Sequence, residues 1–399
     1  MMAAIQFTTM LDFLIIMPLG PQYMRVFAIS PSQFGLIVSS YALSAGTAGI
    51  AAGFVLDLFD RKSALLVLYG GFVLGTLCCA LAPTYPLLVA ARAGAGAFGG
   101  VAAALILAII GDAIPEQRRG AAMGLVMSSF SLASICGVPI GLLLATHFNW
   151  HVPFFVLAVL SALVLAVTAR VMPSMRGHQQ HTRDRHPAKH LWSVLMHADH
   201  QLAFLFMAVL TVTGFGIFPY MSNYLVANVG LTEQQLPWIY RAGGLATLVS
   251  MNWIGRWADR IGKRRVFTLM SFSTAIPILL LTNLPRVPLL AAVATSTLFM
   301  ICMSGRMVPA MALMTASVES RYRGGFMSIN ASVQQFSSGV AAYISGKIIG
   351  QASDGAMTHF PLIGVISVVC ACTGIYLARF VRTPTGSDLV SPPLVVEQW

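Results

Sequence analysis

One carboxylate lies deep in an apolar run: Asp12, between Met10-Leu11 and Phe13-Leu14-Ile15-Ile16. If that run crosses a membrane, a charge at its centre costs about 2.5–3.5 kcal/mol. A carboxylate there needs a cation, a proton or a substrate, and one that exchanges them can carry protons. The plainer alternative is a structural aspartate hydrogen-bonded near Thr8 and Thr9, one turn away on the same face. Arg92 is a second such residue, set among Ala91, Ala93, Ala95, Gly96 and Gly99. Arginine stays charged at any relevant pH, so Arg92 needs a carboxylate, a substrate or water. Its plainer alternative is snorkelling to a membrane surface. Asp12 and Arg92 are the candidate proton-coupling residues. Arg306, close before Pro309, either lines a cavity or reaches a surface. Arg241 and Lys347 stand at the ends of apolar runs, where snorkelling suits both.

A different chemistry comes from two short charged loops. The first reads Gly53-Phe54-Val55-Leu56-Asp57-Leu58-Phe59-Asp60-Arg61-Lys62. The second reads Gly255-Arg256-Trp257-Ala258-Asp259-Arg260-Ile261-Gly262-Lys263-Arg264, at an offset of 202 (255 − 53). Arg119-Gly120 and Met123 recur as Arg323-Gly324 and Met327, at an offset of 204 (323 − 119). The chain is therefore a duplication whose charge clusters sit between apolar spans, the build of a two-part membrane transporter. Asp57 and Asp259 stand where a carboxylate can cap a neighbouring helix and bind the loop's own arginines. Such helix-end contacts are worth roughly 0.3–2 kcal/mol, enough to bias two conformations of similar energy. Gly53, Asp57, Arg61, Lys62, Gly255, Asp259, Arg260, Gly262, Lys263 and Arg264 form this candidate latch. A plain basic loop is the alternative.

The elements that position these residues follow from composition. Hydrophobic residues make up 57% and charged residues 9% of the 399. Soluble domains run at roughly 45–50% and 25%, so the bilayer must solvate most of this chain. The apolar runs are too long for barrel strands and lack period-two alternation, so the spans are helices. Twelve are expected, at 3–22, 34–56, 63–82, 86–111, 121–146, 152–171, 202–226, 238–257, 266–284, 288–312, 326–350 and 361–381. The segment 1–171 is then the first six-helix bundle and 202–382 the second. A basic, histidine-rich linker at 172–201 joins them, and 383–399 is a loose tail. The first run continues past Asp12 without a basic leader or cleavage site, so it reads as a span rather than a signal.

Eighteen lysines and arginines, from Arg61 to Arg382, fall in loops on one side, against Arg25 and Arg286 on the other. That places both termini and the linker in the cytoplasm. The net charge of +11 is thus spread over short loops, which argues against nucleic acid as a partner. Cys78, Cys79, Cys136, Cys302, Cys370 and Cys372 all lie in apolar runs and read as packing. His178, His181, His186, His190, His197 and His200 lack a carboxylate or cysteine framework, so no metal is expected. Gly94-x-Gly96-x-x-Gly99 matches a dinucleotide fingerprint but lies inside an apolar helix, so it reads as packing. Gly49/Gly53, Gly96/Gly100, Gly120/Gly124 and Gly137/Gly141 have the spacing of close helix contacts.

The paired loops, with Arg92 and Gly96, resemble signatures of the major facilitator superfamily over nearly the whole chain. The second loop fits closely. The first departs at Leu58, where the family usually has arginine, and at Asp60, where it usually has glycine. Gly137-Val138-Pro139-Ile140-Gly141, followed by Trp150 and Phe154, resembles the antiporter motif of twelve-span drug–proton antiporters. It is most similar to the branch of sugar and nucleoside efflux permeases, in which His151 is often arginine. The resemblance implies an all-α membrane protein of twelve transmembrane helices in two pseudo-symmetric six-helix bundles. It also implies loops that latch the halves together on the inside and a role for Arg92 in proton coupling. From span 5 it implies a motif that seals the outward leak, and its glycines should let that span pack against the other half.

A substrate cavity would draw on Gln6, Thr9, Ser39, Tyr41, Ser128, Tyr220, Asn223, Arg306, Asn330 and Gln334. Apart from Arg306 these are neutral, with Met and Phe plentiful nearby, which suits an uncharged or weakly cationic organic solute. The expected protein is a monomeric secondary transporter of the bacterial inner membrane, exporting a small organic solute in exchange for protons. Uptake by symport on the same fold, and a receptor that binds without translocating, are the alternatives. No Gly-x-x-x-x-Gly-Lys-Ser/Thr loop is present for ATP. No His/Asp/Glu cluster at a span end suggests an enzyme, and no cofactor is expected.

Overall fold

The structure is a computed structural model that describes residues 1–53, 55–175, 187–318 and 323–381. Helix α1 (Met2–Ile15) and α2 (Gly20–Val26) form one span bent by 54°. Pro18 and Pro21 break it, because proline lacks a helix donor and its ring crowds the preceding turn. Helix α3 (Pro31–Ala52) starts on a capping box, with Ser30 and Gln33 exchanging bonds and Pro31 preset for the first turn. Helices α4 (Arg61–Leu81) and α5 (Tyr85–Ala113) follow. Helix α6 (Glu116–Leu132) passes through a π-helical turn, Ala133–Gly137, into α7 (Val138–His147). Pro139 cannot donate back along this span, and the widened turn absorbs the missing bond. Helix α8 (His151–Val171) completes the first half.

The second half repeats the plan. A 3-10 turn at Phe218–Tyr220 separates α10 (Ala198–Phe215) from α11 (Met221–Ala227), so its first span is also broken. Then come α12 (Leu236–Ile261), α13 (Lys263–Thr282), α14 (Leu289–Ala316), α15 (Arg323–Ile348) and α16 (Phe360–Leu377). Gly262, at φ +101°, lets α12 reverse into α13 through a single residue. A short hairpin, β1 (Gly350–Gln351) with β2 (Met357–Thr358), links α15 to α16. Nine helices among the described residues are long and apolar enough to cross a bilayer, and the bent α1–α2 pair makes a tenth. The more polar α12 and α15, each of 26 residues and so about 39 Å long, complete twelve.

The stretch read as a polar linker holds a further helix, α9 (Pro187–Met196). Its Val194 is fully buried beside Phe204 and Phe326, while Trp192 is exposed. His200 is buried as well, with Nδ1 2.9 Å from the Val194 carbonyl. His178, His181 and His186, the His190 side chain and the tail after Val381 lie outside the described residues.

Two seams join the halves. Helix α3 lies against α15 from end to end: Gly35 faces Ala342, Gly339 faces Leu43, Gly46 faces Phe336 and Gly49 faces Ser332. A side chain at any of these glycines would collide, so small residues set the helix spacing. The second seam sets Gly244 of α12 against Ile135 in the π-turn. At the end opposite the paired basic loops, Arg25 forms an ion pair with Glu233 at 2.5 Å, and Phe34 meets Tyr220 edge-on at 5.9 Å. Val67, Leu74, Leu163, Phe272 and Leu290 stand exposed on the outer faces, as a lipid-facing surface requires.

Candidate functional site

Asp12 and Arg92 meet inside the first half. Nη1 of Arg92 donates to Oδ2 of Asp12 at 2.6 Å and to its backbone oxygen at 3.2 Å. Both side chains are 0% exposed. Thr76 of α4 donates to Oδ1 at 3.2 Å. The guanidinium carbon of Arg92 lies 4.4 Å over the ring of Tyr41, a cation–π contact from α3. Four helices thus share one ion pair. Glycines bring α3, α4 and α5 together: Gly75 abuts Ala95, Gly96 abuts the Tyr41 backbone and Gly99 abuts Phe72.

Snorkelling by Arg92 and bonding of Asp12 to Thr8 or Thr9 are both ruled out by this geometry. Thr8 pairs with the Tyr69 hydroxyl at 2.8 Å, and Thr9 donates to the carbonyls of Ile5 and Gln6. Thr76 went unnoticed in the sequence. A lone threonine in a helix usually bonds its own preceding turn, as Thr211 and Thr247 do here.

The cavity candidates divide by bonding. Thr9, Ser39 and Ser128 spend their hydroxyls on their own helices, and Ser128 is exposed while its neighbour Ser129 is buried. Tyr220 donates to the Ala342 carbonyl at 2.6 Å. Tyr41 is taken up under Arg92, and Gln334 is half-buried. Gln6 Oε1, both amide atoms of Asn223 and Oδ1 of Asn330 are buried with no hydrogen-bond partner among the described residues. Buried polar atoms in this state are costly, so they are the strongest ligand-facing candidates. Arg306 is 2% exposed and donates only to the Leu210 carbonyl, at 2.9 Å. It therefore lines the interior of the second half rather than reaching a surface. Arg241 and Lys347 rest over Trp238 and Tyr343, at 5.3 and 5.6 Å.

Around the paired loops, Arg61 and Arg264 each bond a residue of their own half, while Gly53 lines a small cavity with Ser328 and Ser332 of the other. Asp60, one of the two departures from the family pattern, caps α4 by accepting from the Ser63 N–H at 3.1 Å. Its other oxygen accepts from the Met175 N–H at 2.6 Å and from the Ser174 hydroxyl at 3.2 Å. Burial opposes its ionisation, but these donors outweigh burial and hold the carboxyl below the usual carboxylate range. Arg61 reaches Asp112 at 3.1 Å, and Arg264 donates to the Val381 carbonyl at 2.7 Å. Gly53 ends α3 and Lys62 is half-buried in the first turn of α4. Gly255 is packed loosely near Val308, and Lys263 is half-buried. Asp259 and Arg260 are exposed, and the Asp57 side chain lies outside the described residues.

The span-5 motif also faces inward. Side chains added at Gly137 and Gly141 would strike Leu11 and Ile15 of α1, in the same half. The expectation that these glycines seat span 5 on the other half is corrected: Ile135 and Gly244 make that crossing. His151 stacks on Trp150 and sets its Nδ1 2.7 Å from the Ala80 carbonyl, tying the start of α8 to the end of α4.

Comparison with known proteins places this arrangement. An uncharacterized MFS-type transporter of Bacillus subtilis (strain 168), YceJ, is 28% identical over 370 residues, 90% of this chain and 91% of that one. The multidrug resistance protein Stp of Mycobacterium tuberculosis (strain CDC 1551 / Oshkosh) is 31% identical over 163 residues, 41% of this chain and 30% of its own. The crystal structure of a D-xylose-proton symporter superposes with a TM-score of 0.76 at 16% identity, covering 95% of each chain. The sequence profile of the Major Facilitator Superfamily matches residues 2–215 and again 202–394, one match per half. With twelve helices in two bundles and a family match in both halves, the chain belongs to the Major Facilitator Superfamily.

Proposed function

We propose that this transporter exports a small organic solute in exchange for protons, with Asp12 as the proton carrier. The observation that supports it most is the buried Asp12–Arg92 pair. Ionised, Asp12 holds Arg92 and Thr76 and so ties α1 to α4 and α5. A proton on its carboxylate removes the negative charge and leaves Arg92 over Tyr41 without an anionic partner. Losing one partner of a buried pair typically costs about 3–5 kcal/mol. Reversing a two-state population from 1:99 to 99:1 takes about 5.5 kcal/mol. One proton at this site is therefore of the right size to move the halves between states.

Partial likeness to a multidrug resistance protein and the span-5 motif favour export. The asymmetry of basic loops favours cytoplasmic termini in a bacterial inner membrane, and nothing in the site requires a second copy. In proteoliposomes, Asp12→Asn should abolish pH-driven flux while leaving ligand binding largely intact. Undiminished pH-driven flux in that variant removes Asp12 from the mechanism. Counterflow in oriented vesicles fixes the direction, and uptake driven by an inward proton gradient would replace export with symport.

A further inference from the structure

Arg306 is a buried cation without an acid. Of its five N–H donors, one or more on Nη2 meets the Leu210 carbonyl, while Nε and Nη1 are buried with no partner. Among the described residues no carboxylate bonds it. From Ala198 to Leu377 the chain holds only Asp199, Glu233, Asp259, Glu319 and Asp354. Asp199 opens α10, about 16 Å along the axis from Leu210. Glu233 is engaged by Arg25 at one end of the molecule. Asp259 is exposed near the end of α12, and Asp354 sits in the turn of the hairpin. Glu319 lies outside the described residues. Asp12 already belongs to Arg92.

Beside the guanidinium the facing helix carries only a glycine, with ordinary contact distances for one added methyl group. A Cβ built at Gly214 of α10 would meet nothing closer than Met303 Sδ at 3.6 Å and Arg306 Nη2 at 3.8 Å. Next to Gly214, Phe215 meets Phe13 of the first half at 5.8 Å, so the site borders the space between the halves.

We propose that Arg306 binds a carboxylate on the transported solute, which is therefore an organic acid with an apolar body. The proposal rests on the transport reading, and it replaces the uncharged or weakly cationic solute that the neutral lining suggests. A guanidinium is suited to carboxylates, and its free donors would be satisfied only when the solute is bound.

Thermal stability of the purified full chain in detergent tests it, with phenylacetate and hexanoate set against phenylacetamide and hexanamide. The acids should protect and the amides should not. Arg306→Gln should weaken the acids' effect by roughly tenfold or more, as loss of charge-assisted bonds implies. Gly214→Asp is the second variant: it supplies an internal counter-ion, so it should raise the melting temperature and abolish protection by the acids. Equal protection by acids and amides, protection by neither, or full protection of folded Gly214→Asp would each overturn the proposal. The assay uses no proton gradient and measures no flux. Failure of the coupling mechanism would therefore show in flux alone.

Discussion

Asp12 and Arg92 stand out in the sequence because an apolar span tolerates few charges, and each one left there needs a reason. Their pairing was not legible. It depends on how α1 lies against α5, 80 residues on, and the contacts of Gly75, Gly96 and Gly99 fix α5 only against α3 and α4. Because each partner satisfies the other, the two should be non-additive. Arg92→Met alone strands a buried carboxylate, whereas Arg92→Met with Asp12→Asn removes both charges. The double variant should recover about 1–3 kcal/mol relative to the sum of the single losses, read from melting temperatures. Asp60 makes a separate, pH-dependent case. Its folded pKa lies below its unfolded value, so its stabilisation is full above the ordinary carboxylate value, about 3.9, and fades as pH falls through the lower folded value. Asp60→Ala should cost about 0.5–2 kcal/mol at neutral pH, the scale of a lost N-cap. Melting curves taken down into the acid range should show that penalty shrinking towards zero.

At the scale of elements, the span boundaries were largely legible, because Pro and Gly mark them: Pro31, Gly262 and Pro288 stand within a residue of where helices begin. The breaks within the first, fifth and seventh spans were not. Membrane helices tolerate proline with a kink, and whether the helix stops depends on which neighbours take up the freed backbone groups. Helix α9 is hard to read in the sequence because its large apolar residues, Leu191, Trp192, Val194, Leu195 and Met196, fill only its second half and follow a charged, histidine-rich stretch. Element packing also redirects the span-5 test. Gly141→Leu would press on Ile15, three residues from Asp12, and so should impair coupling before it opens a leak. Gly244→Leu, pressing on Ile135, is the variant that should wedge the halves apart and raise passive leak. A pH-sensitive dye inside proteoliposomes, normalised to folded protein, separates them; equal leak from Gly244→Leu and wild type would show that this crossing is no seal.

For the whole molecule, the described cross-half contacts include a clasp at one end, Arg25 with Glu233. Arg25 is 66% exposed, so the clasp is worth about 0–1 kcal/mol. Glu233→Gln should then shift the balance of conformations by no more than about fivefold, towards the state open at that end. Spin-label distances between the α2–α3 and α11–α12 connections would show it, and the shift should vanish in high salt. The placement of charge between the halves has another consequence, for biogenesis. Asp12 and Arg92 belong to the first and fourth spans, so the ribosome delivers both before any of the second half exists. Each can neutralise the other as soon as the fourth span enters the bilayer, before the nascent chain is half made. Arg306 has no such companion on its own segment or those beside it, so its helix must partition into lipid carrying a bare charge. The translocon thus inserts α14 late and with its charge unpaired, and substitutions that add polarity there should reduce yield more than the same changes in α5.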